Sequence, residues 1–242
     1  MDDQVGGEAR PSVSGPSTVT ALVARGRREG RYDVEVDGEA VATVSAGSVT
    51  SLKLAVGRQL DEREFSALLA EGAIIAAYDR ALNILGFRDR SATELRRALL
   101  RKGVEPGPAT VAVDRLQESG LVDDGRYARA LARSRALNAG VSRRRIEQDL
   151  ARRGVRRDIA EEAISEVWEE EEVDQTAAAI ALARKRAPSL AGLDPASRRR
   201  RLYGFLARRG YSSEEIRKAL SVALEELASD GDVLGGSADG TW

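Results

Sequence analysis

The 242-residue chain contains no cysteine and no histidine. These absences exclude cysteine nucleophiles, disulfides, thiolate zinc sites and histidine-based acid–base or metal chemistry. No group of Asp and Glu residues has the spacing of a calcium loop, and no phosphate loop or nucleophile elbow occurs in the required context. The sequence therefore predicts a protein that is not an enzyme and holds no metal or cofactor.

Long apolar runs and a signal-peptide pattern are also absent, so we expect a cytoplasmic protein with no membrane partner. Aromatic residues make up only 4% of the chain, which leaves Leu, Ala, Val and Ile to build the core. Charged residues reach 32%, which suits helices with wide solvated faces. Only four of the 38 basic residues are Lys, so the cationic surface consists almost entirely of Arg.

One helical signature occurs three times, and each copy ends in two cations and a glycine: Gly103, Gly154 and Gly210. Eight and four residues before each glycine stand aliphatic residues, namely Leu95 and Leu99, Ile146 and Leu150, and Leu202 and Leu206. Positions four apart share a helix face, so each copy presents a narrow apolar stripe, and the glycine is typical of a helix C-terminus. The repeat predicts a mainly α protein with tandem three-helix modules in an elongated array.

The N-terminal part has a different pattern. Asp37-Gly38 separates two alternating runs, Tyr32–Val36 and Ala40–Val44, which is a strong hairpin signal. Thr18–Ala24 is rich in β-branched and small apolar residues. We therefore expect a small sheet of about three strands over residues 17–58, because a lone hairpin is rarely stable.

Several helix boundaries follow from capping residues. Asp61 is expected to begin a helix over residues 61–70, with another over 73–87. Ser91 and Glu94 have the spacing of a capping box. Further N-caps are predicted at Asp123, Ser142 and Asp158.

The resulting domain organisation has six parts. They are a disordered tail over 1–16, a small β region over 17–60, a lead helix with the first module over 61–122, the second module over 123–171, the third module over 172–228, and a second disordered tail over 229–242.

Cations near the signature helices are the candidate binding residues. They are Arg96, Arg97, Arg101, Lys102, Arg143, Arg144, Arg145, Arg152, Arg153, Arg198, Arg199, Arg201, Arg208 and Arg209. A guanidinium can donate two parallel hydrogen bonds to a phosphate or carboxylate, so three basic helices could form a discontinuous track along a nucleic acid backbone or an acidic protein groove.

A structural explanation competes with this one. Cations in the last turn of a helix complement its dipole, which stabilises the helix by about 0.3–1 kcal/mol each. The runs at 143–145 and 198–201 favour binding, because they lie at predicted helix starts, where cations oppose the dipole. Five aromatic residues could stack on bases but are more typical of a core or module interface: Phe87, Tyr127, Tyr203, Phe205 and Tyr211.

Several of these motifs, in this order, resemble those of the bacterial RecX regulatory proteins. The first part of the resemblance is Ser91–Leu95 with Lys102-Gly103, followed by Leu116, Leu121–Asp124 and Tyr127-Ala128. The second is Arg145-Ile146 through Leu150 with Arg153–Val155, and the third is Phe205–Ser212 with Ile216. The resemblance covers roughly residues 73–224 and excludes both tails.

The resemblance implies a non-enzymatic, monomeric modulator of the RecA recombinase, built from tandem three-helix modules. Such proteins bind in the groove of the RecA filament on DNA and inhibit ATP hydrolysis, strand exchange and co-protease action. The implied partners are the RecA filament and the phosphate backbone of single- and double-stranded DNA.

Two alternatives remain open at this stage. A sequence-specific, helix-turn-helix-like DNA-binding regulator would need base-reading side chains, and Gln148 is the only amide in the three signature copies. In a passive helical scaffold, replacing the arginine pairs by Ala would change nothing but stability.

Overall fold

The computed structural model describes residues 16–26 and 30–235. The chain forms two compact units. The first contains the described part of Met1–Arg88 together with Leu95–Leu121, and the second contains Asp89–Glu94 together with the described part of Val122–Trp242. Residues 1–15 of the predicted tail over 1–16, and residues 236–242 of the predicted tail over 229–242, lie outside the described residues.

An antiparallel sheet opens the first unit. Its strands are β1 (Ser17–Ala24), β2 (Arg31–Val36), β3 (Glu39–Ser45) and β4 (Gln59–Leu60), in the spatial order β3-β2-β1-β4. The predicted hairpin is confirmed, with Asp37 at φ 52° and Gly38 at φ 86° between β2 and β3. Strand β4 was not predicted, because two residues are too few to show an alternating pattern. A short helix, α1 (Ala46–Ser51), follows β3.

The long helix α2 (Glu62–Leu85) packs on this sheet, and Phe65 and Leu68 join the buried valines of the strands. The predicted break between helices at 61–70 and 73–87 is wrong. A Cβ on Gly72 would lie 2.7 Å from the Ala42 Cβ of β3. Gly72 is therefore explained by the close approach of α2 to the sheet, and the helix continues through it.

Nine helices of the described chain, taken in threes, make up the three modules. The first module contains α2, α3 (Ala92–Arg101) and α4 (Pro106–Glu118). The second contains α5 (Asp124–Ala139), α6 (Arg143–Arg152) and α7 (Arg157–Glu170). The third contains α8 (Gln175–Arg186), a 3-10 turn (Ala187–Leu190), α9 (Pro195–Arg208) and α10 (Ser213–Gly235).

The signature predictions are confirmed in detail. Helices α3, α6 and α9 bury the six predicted aliphatic side chains completely: Leu95, Leu99, Ile146, Leu150, Leu202 and Leu206. Gly103, Gly154 and Gly210 end these helices at φ +79°, +77° and +89°. Each stripe therefore anchors its helix in a core, and each glycine takes a backbone conformation that other residues rarely adopt.

Most predicted helix starts are also correct. Asp61, Asp123 and Ser142 accept hydrogen bonds from the backbone N–H groups of the following first turn. Asp158 is not the N-cap of α7, because that helix begins one residue earlier and Arg156 occupies the cap position. Helix α10 continues to Gly235, beyond the predicted tail boundary at residue 229.

Candidate binding surface

Two buried serines join the signature helices within the second unit. Ser91 Oγ donates to the carbonyl of Arg153 over 2.5 Å, and the backbone N–H of Ser142 donates to the carbonyl of Arg209 over 3.0 Å. Thus the start of α3 contacts the end of α6, and the start of α6 contacts the end of α9. We call these two contacts the serine junctions.

The glycines at these junctions have no room for a side chain. A Cβ on Gly154 would overlap Thr93, and a Cβ on Gly210 would lie 2.5 Å from Ser142 Oγ. By contrast, a Cβ on Gly103 would meet nothing within 4 Å. The sequence predicted these glycines as helix terminators, and at two of the three they also permit close packing.

Arg153 is engaged in the first serine junction. Its Nη1 donates to Glu94 Oε1 over 2.9 Å and to the Tyr127 hydroxyl over 2.8 Å. The Tyr127 hydroxyl donates to the other oxygen of Glu94 over 3.0 Å. Burial, followed by the neighbouring Glu94 carboxylate, raises the pKa of Tyr127. The capping box predicted here is therefore half formed: Ser91 Oγ accepts from the Glu94 N–H, while the Glu94 carboxylate binds Arg153 and Tyr127.

Arg209 and Arg198 also make internal contacts. The Arg209 guanidinium lies over the Phe205 ring, 4.1 Å from its centroid. The Nη2 of Arg198 donates to the carbonyls of Ala191 and Leu193 over 2.7 and 3.0 Å. These two candidates therefore contribute to the packing of the third module.

The arginines of α6 are largely matched by acids on the same helix. Asp149 lies 3.4 Å from the Nε of Arg145 and 3.4 Å from the Nη1 of Arg152. Arg143 lies 3.5 Å from Glu147 and donates to Ser165. These acids form ion pairs with three of the four arginines of α6, which lowers the positive charge that the helix presents to a partner.

The first module has one paired cation and several exposed ones. Arg96 pairs with Asp114 of α4 at 3.3 Å and is half-buried. Arg97, Arg101 and Lys102 are exposed at the surface of the same helix or directly after it.

Helix α9 has the strongest uncompensated charge of the three signature helices. It contains five arginines and no Asp or Glu between Pro195 and Arg208. Arg201, Gly204 and Arg208 share one face, since they are three and four residues apart. Arg208 lies over Gly204, where a Cβ would be 3.3 Å from its Nη1.

The solvent-facing side of α9 is therefore an arginine surface, which we call the α9 face: Arg200, Arg201, Gly204 and Arg208. Arg199 is also exposed on this helix. Arg200 belongs to the basic run at 198–201 that favoured binding, although it was not named individually with the other candidates.

Three of the five aromatic candidates pack internally, as the core interpretation predicts. Tyr127 lies in the first serine junction, Phe205 stacks against Arg209, and the Tyr211 hydroxyl donates to the carbonyl of Gly140 over 3.1 Å. Phe87 is 90% exposed and Tyr203 is 40% exposed, so the core interpretation is wrong for Phe87.

Among residues 16–26 and 30–235, no group of three or more acidic side chains could hold a metal ion. No helix in that part of the chain combines the length and hydropathy needed to cross a membrane.

Comparison with known proteins matches each of the three modules to a domain of one family. Family models described as the first, second and third three-helix domains of RecX match residues 77–116, 123–164 and 172–220. A regulatory protein RecX from Halorhodospira halophila is 39% identical over 159 residues, which cover 65% of this chain and 94% of that protein. The RecX of Amycolatopsis mediterranei is 34% identical over 158 residues, covering 65% of this chain and 89% of its own.

Solved structures share the fold. A crystal structure of a regulatory protein RecX superposes with a TM-score of 0.70 at 21% identity, covering 85% of this chain and 99% of that one. The RecX of Lactobacillus salivarius gives a TM-score of 0.53 at 20% identity, with 62% and 96% covered.

Proposed function

The chain belongs to the RecX family of regulatory proteins, and from this membership we propose that it binds the RecA–DNA filament and modulates, mostly by inhibition, the activities of RecA. The affected activities are ATP hydrolysis, strand exchange and co-protease action. In this proposal the protein is a cytoplasmic monomer without catalytic activity, metal or cofactor.

The observation that best supports the proposal is the charge of α9. Its five arginines have no acid on their own helix, and the α9 face is exposed. Arginines of this kind suit the phosphate backbone of single- or double-stranded DNA, because a guanidinium can bind two phosphate oxygens at once. Such contacts release counterions, so binding should weaken steeply with salt.

The internal contacts narrow the set of candidate residues. Arg96, Arg143, Arg145, Arg152, Arg153, Arg198 and Arg209 make contacts within the protein. We place the partner contacts mainly on the α9 face and Arg199, with support from Arg97, Arg101, Lys102 and Arg144, which are exposed.

Sequence-specific DNA reading is less well supported. The three signature helices contain one amide side chain, Gln148, while base recognition commonly uses Asn and Gln as well as Arg. Contacts to phosphates position a protein without reading sequence. The α9 face therefore supports backbone binding.

The test is the single-stranded-DNA-dependent ATPase of RecA from the same organism, titrated with this protein. We expect inhibition below one molecule per RecA, since a chain of linked modules could span neighbouring RecA subunits, with each module adding a weak contact. The variant Arg200→Ala/Arg201→Ala/Arg208→Ala should need a concentration about a hundredfold higher for half-maximal inhibition, because each lost contact costs about 1 kcal/mol.

The matched control is Arg144→Ala/Arg145→Ala/Arg152→Ala, which removes the equivalent arginines from α6. We expect it to shift the titration by only about threefold, because two of these cations already bind Asp149. No inhibition by a folded wild-type protein would contradict the proposed function.

A further inference from the structure

A cleft of about 590 Å³ lies where the C-terminal ends of α5, α8 and α9 approach one another within the second unit. This volume falls within the range of roughly 300–1,000 Å³ that is typical of sites for small ligands or single side chains of a partner. The solvent-facing arginines of the α9 face do not line it.

The floor of the cleft is apolar. Three alanines and the side chains of Leu137 and Leu182 contribute to it. Leu137 is 52% exposed, so part of its side chain is open to a partner. A Cβ on Gly140 would lie 2.8 Å from Leu182 Cδ1, so the glycine lets the end of α5 approach α8 and shape the floor.

The rim of the cleft is cationic. Lys185, Arg186 and Arg209 line it, and no Asp or Glu is among its lining residues. None of these three cations forms an ion pair with another residue of the described chain. The Nε of Arg209 is buried and has no hydrogen-bond partner among the described residues.

The ring of Phe205 holds two of these cations in place. The guanidiniums of Arg209 and Arg186 lie 4.1 and 5.9 Å from its centroid. Cations fixed beside an apolar surface create a stronger positive potential than mobile ones in water. The cleft therefore combines an apolar floor with a positively charged rim.

This combination favours a peptide over a nucleic acid. Single-stranded nucleic acids are commonly held by stacking their bases on aromatic rings, and the Phe205 ring is already covered by Arg209. The sugar–phosphate backbone has no aliphatic group that would fill a floor of Ala and Leu. An aliphatic or aromatic side chain flanked by carboxylates matches both the floor and the rim.

We propose that this cleft docks an acidic, amphipathic peptide segment of a partner protein. One apolar side chain of the segment packs against Leu137 and Leu182. Its flanking carboxylates bind Lys185, Arg186 and Arg209. The proposal goes beyond the regulation of RecA and does not require it, because the recognition depends only on the chemistry of the cleft.

The experiment is a titration of isotope-labelled protein with a peptide. The readout is the NMR signals of the Gly140 amide and of the Leu137 and Leu182 methyl groups. The probe is a blocked peptide of sequence Asp-Glu-Leu-Phe-Asp-Glu. The control peptide replaces Asp by Asn and Glu by Gln. We expect saturable shifts with the acidic peptide, and an affinity about tenfold lower for the neutral one, equivalent to the loss of about 1.4 kcal/mol.

Two variants make the test specific. Leu137→Glu places a negative charge in the floor, which repels the carboxylates of the peptide. Because this position is already half exposed, the fold should survive. Lys185→Glu/Arg186→Glu reverses the charge of two exposed rim residues. Both variants should abolish the peptide-induced shifts of the Gly140 and Leu182 signals while the far-UV circular dichroism stays unchanged.

Three results would overturn the proposal. They are equal binding of the two peptides, no saturable shift at these signals with millimolar acidic peptide, and tighter binding of oligo(dT) than of the peptide at the same signals. The last result would assign the cleft to nucleic acid. Because RecA is absent from the titration, its outcome is separate from that of the ATPase test.

Discussion

Helices α6 and α9 carry arginines at equivalent positions, yet the structure gives them different surroundings. Counted from the terminal glycine, Arg145 and Arg152 of α6 correspond to Arg201 and Arg208 of α9. In α6 both arginines reach Asp149 at 3.4 Å. In α9 no acid follows Asp194, and Gly204 lies between the two arginines.

The difference shows that the position of an arginine in the repeat does not decide its role. An acid one turn away converts the same residue from a potential binding group into part of a surface ion pair. Surface pairs of this kind stabilise a protein little, by about 0–1 kcal/mol. Their main consequence in α6 is therefore to lower its positive potential compared with that of α9.

The C-terminal ends of the two helices, in contrast, are alike. Arg153 and Arg209 both make internal contacts, and Gly154 and Gly210 both contact the start of the preceding signature helix. The second cation of each pair thus helps to build these two ends, while the first stays at the surface.

The largest effect is expected for the alanine substitution Gly210→Ala. A positive φ costs an L-residue about 1–2 kcal/mol, and the overlap with Ser142 adds about 1–3 kcal/mol. We therefore expect a loss of about 3 kcal/mol in the free energy of unfolding, measured by urea denaturation. Gly103→Ala is the matched control, because it shares the positive φ but meets nothing within 4 Å, and should lose only about 1 kcal/mol. Equal losses would show that the second serine junction contributes no packing constraint.

A smaller effect is expected for Tyr211→Phe, which distinguishes the end of α9 from the end of α6, where Val155 stands at the equivalent position. The variant loses the hydrogen bond to Gly140, which contributes about 1 kcal/mol. Burial, followed by the charge of Glu215, raises the pKa of Tyr211 from 10.0 to about 12. A raised pKa means that the folded state holds its proton longer, so this contribution is complete below pH 10 and is lost as the pH rises towards about 12.

The measurement for Tyr211 is the unfolding free energy of both proteins between pH 8 and 12. The wild type should lose more stability than the variant above pH 10, and the two curves should converge. Parallel curves throughout this range would mean that Tyr211 is not buried in solution.

Much of the fold follows from local sequence. The apolar stripes of Leu and Ile, the glycines that end the helices and the Asp37-Gly38 turn depend on neighbouring residues only, and all are confirmed. The continuous α2 was missed because Gly72 is explained by Ala42, thirty residues earlier. A glycine required by close packing looks the same in a sequence as one that ends a helix.

The binding candidates were less predictable for the same reason. The partners of Arg153 come from other elements of the fold, and a sequence pattern does not reveal these contacts. The stacking of Arg209 on Phe205 joins residues four apart, so their spacing could have indicated it. The contrast between α6 and α9 was visible in the sequence, since Asp149 has no counterpart in α9. The absence of an acid was thus the more informative signal, and counting cations alone overlooked it.

We expect the presence or absence of an acid on the helix face, and not the arginine pattern, to decide which signature helix binds. Two reciprocal substitutions test it. Gly204→Glu gives α9 an acid within reach of Arg201 and Arg208, and Asp149→Asn removes the acid from α6. Gly204→Gln is the control of equal size.

The readout is the affinity for a fluorescent single-stranded oligonucleotide at low and moderate salt, with the unfolding free energy measured alongside. We expect Gly204→Glu to bind about tenfold more weakly than Gly204→Gln with a shallower salt dependence, and Asp149→Asn to bind about threefold more tightly than the wild type. The Gly204 variants should be no less stable, because glycine inside a helix costs about 1 kcal/mol. Equal affinity of Gly204→Glu and Gly204→Gln, with Asp149→Asn unchanged, would contradict the claim.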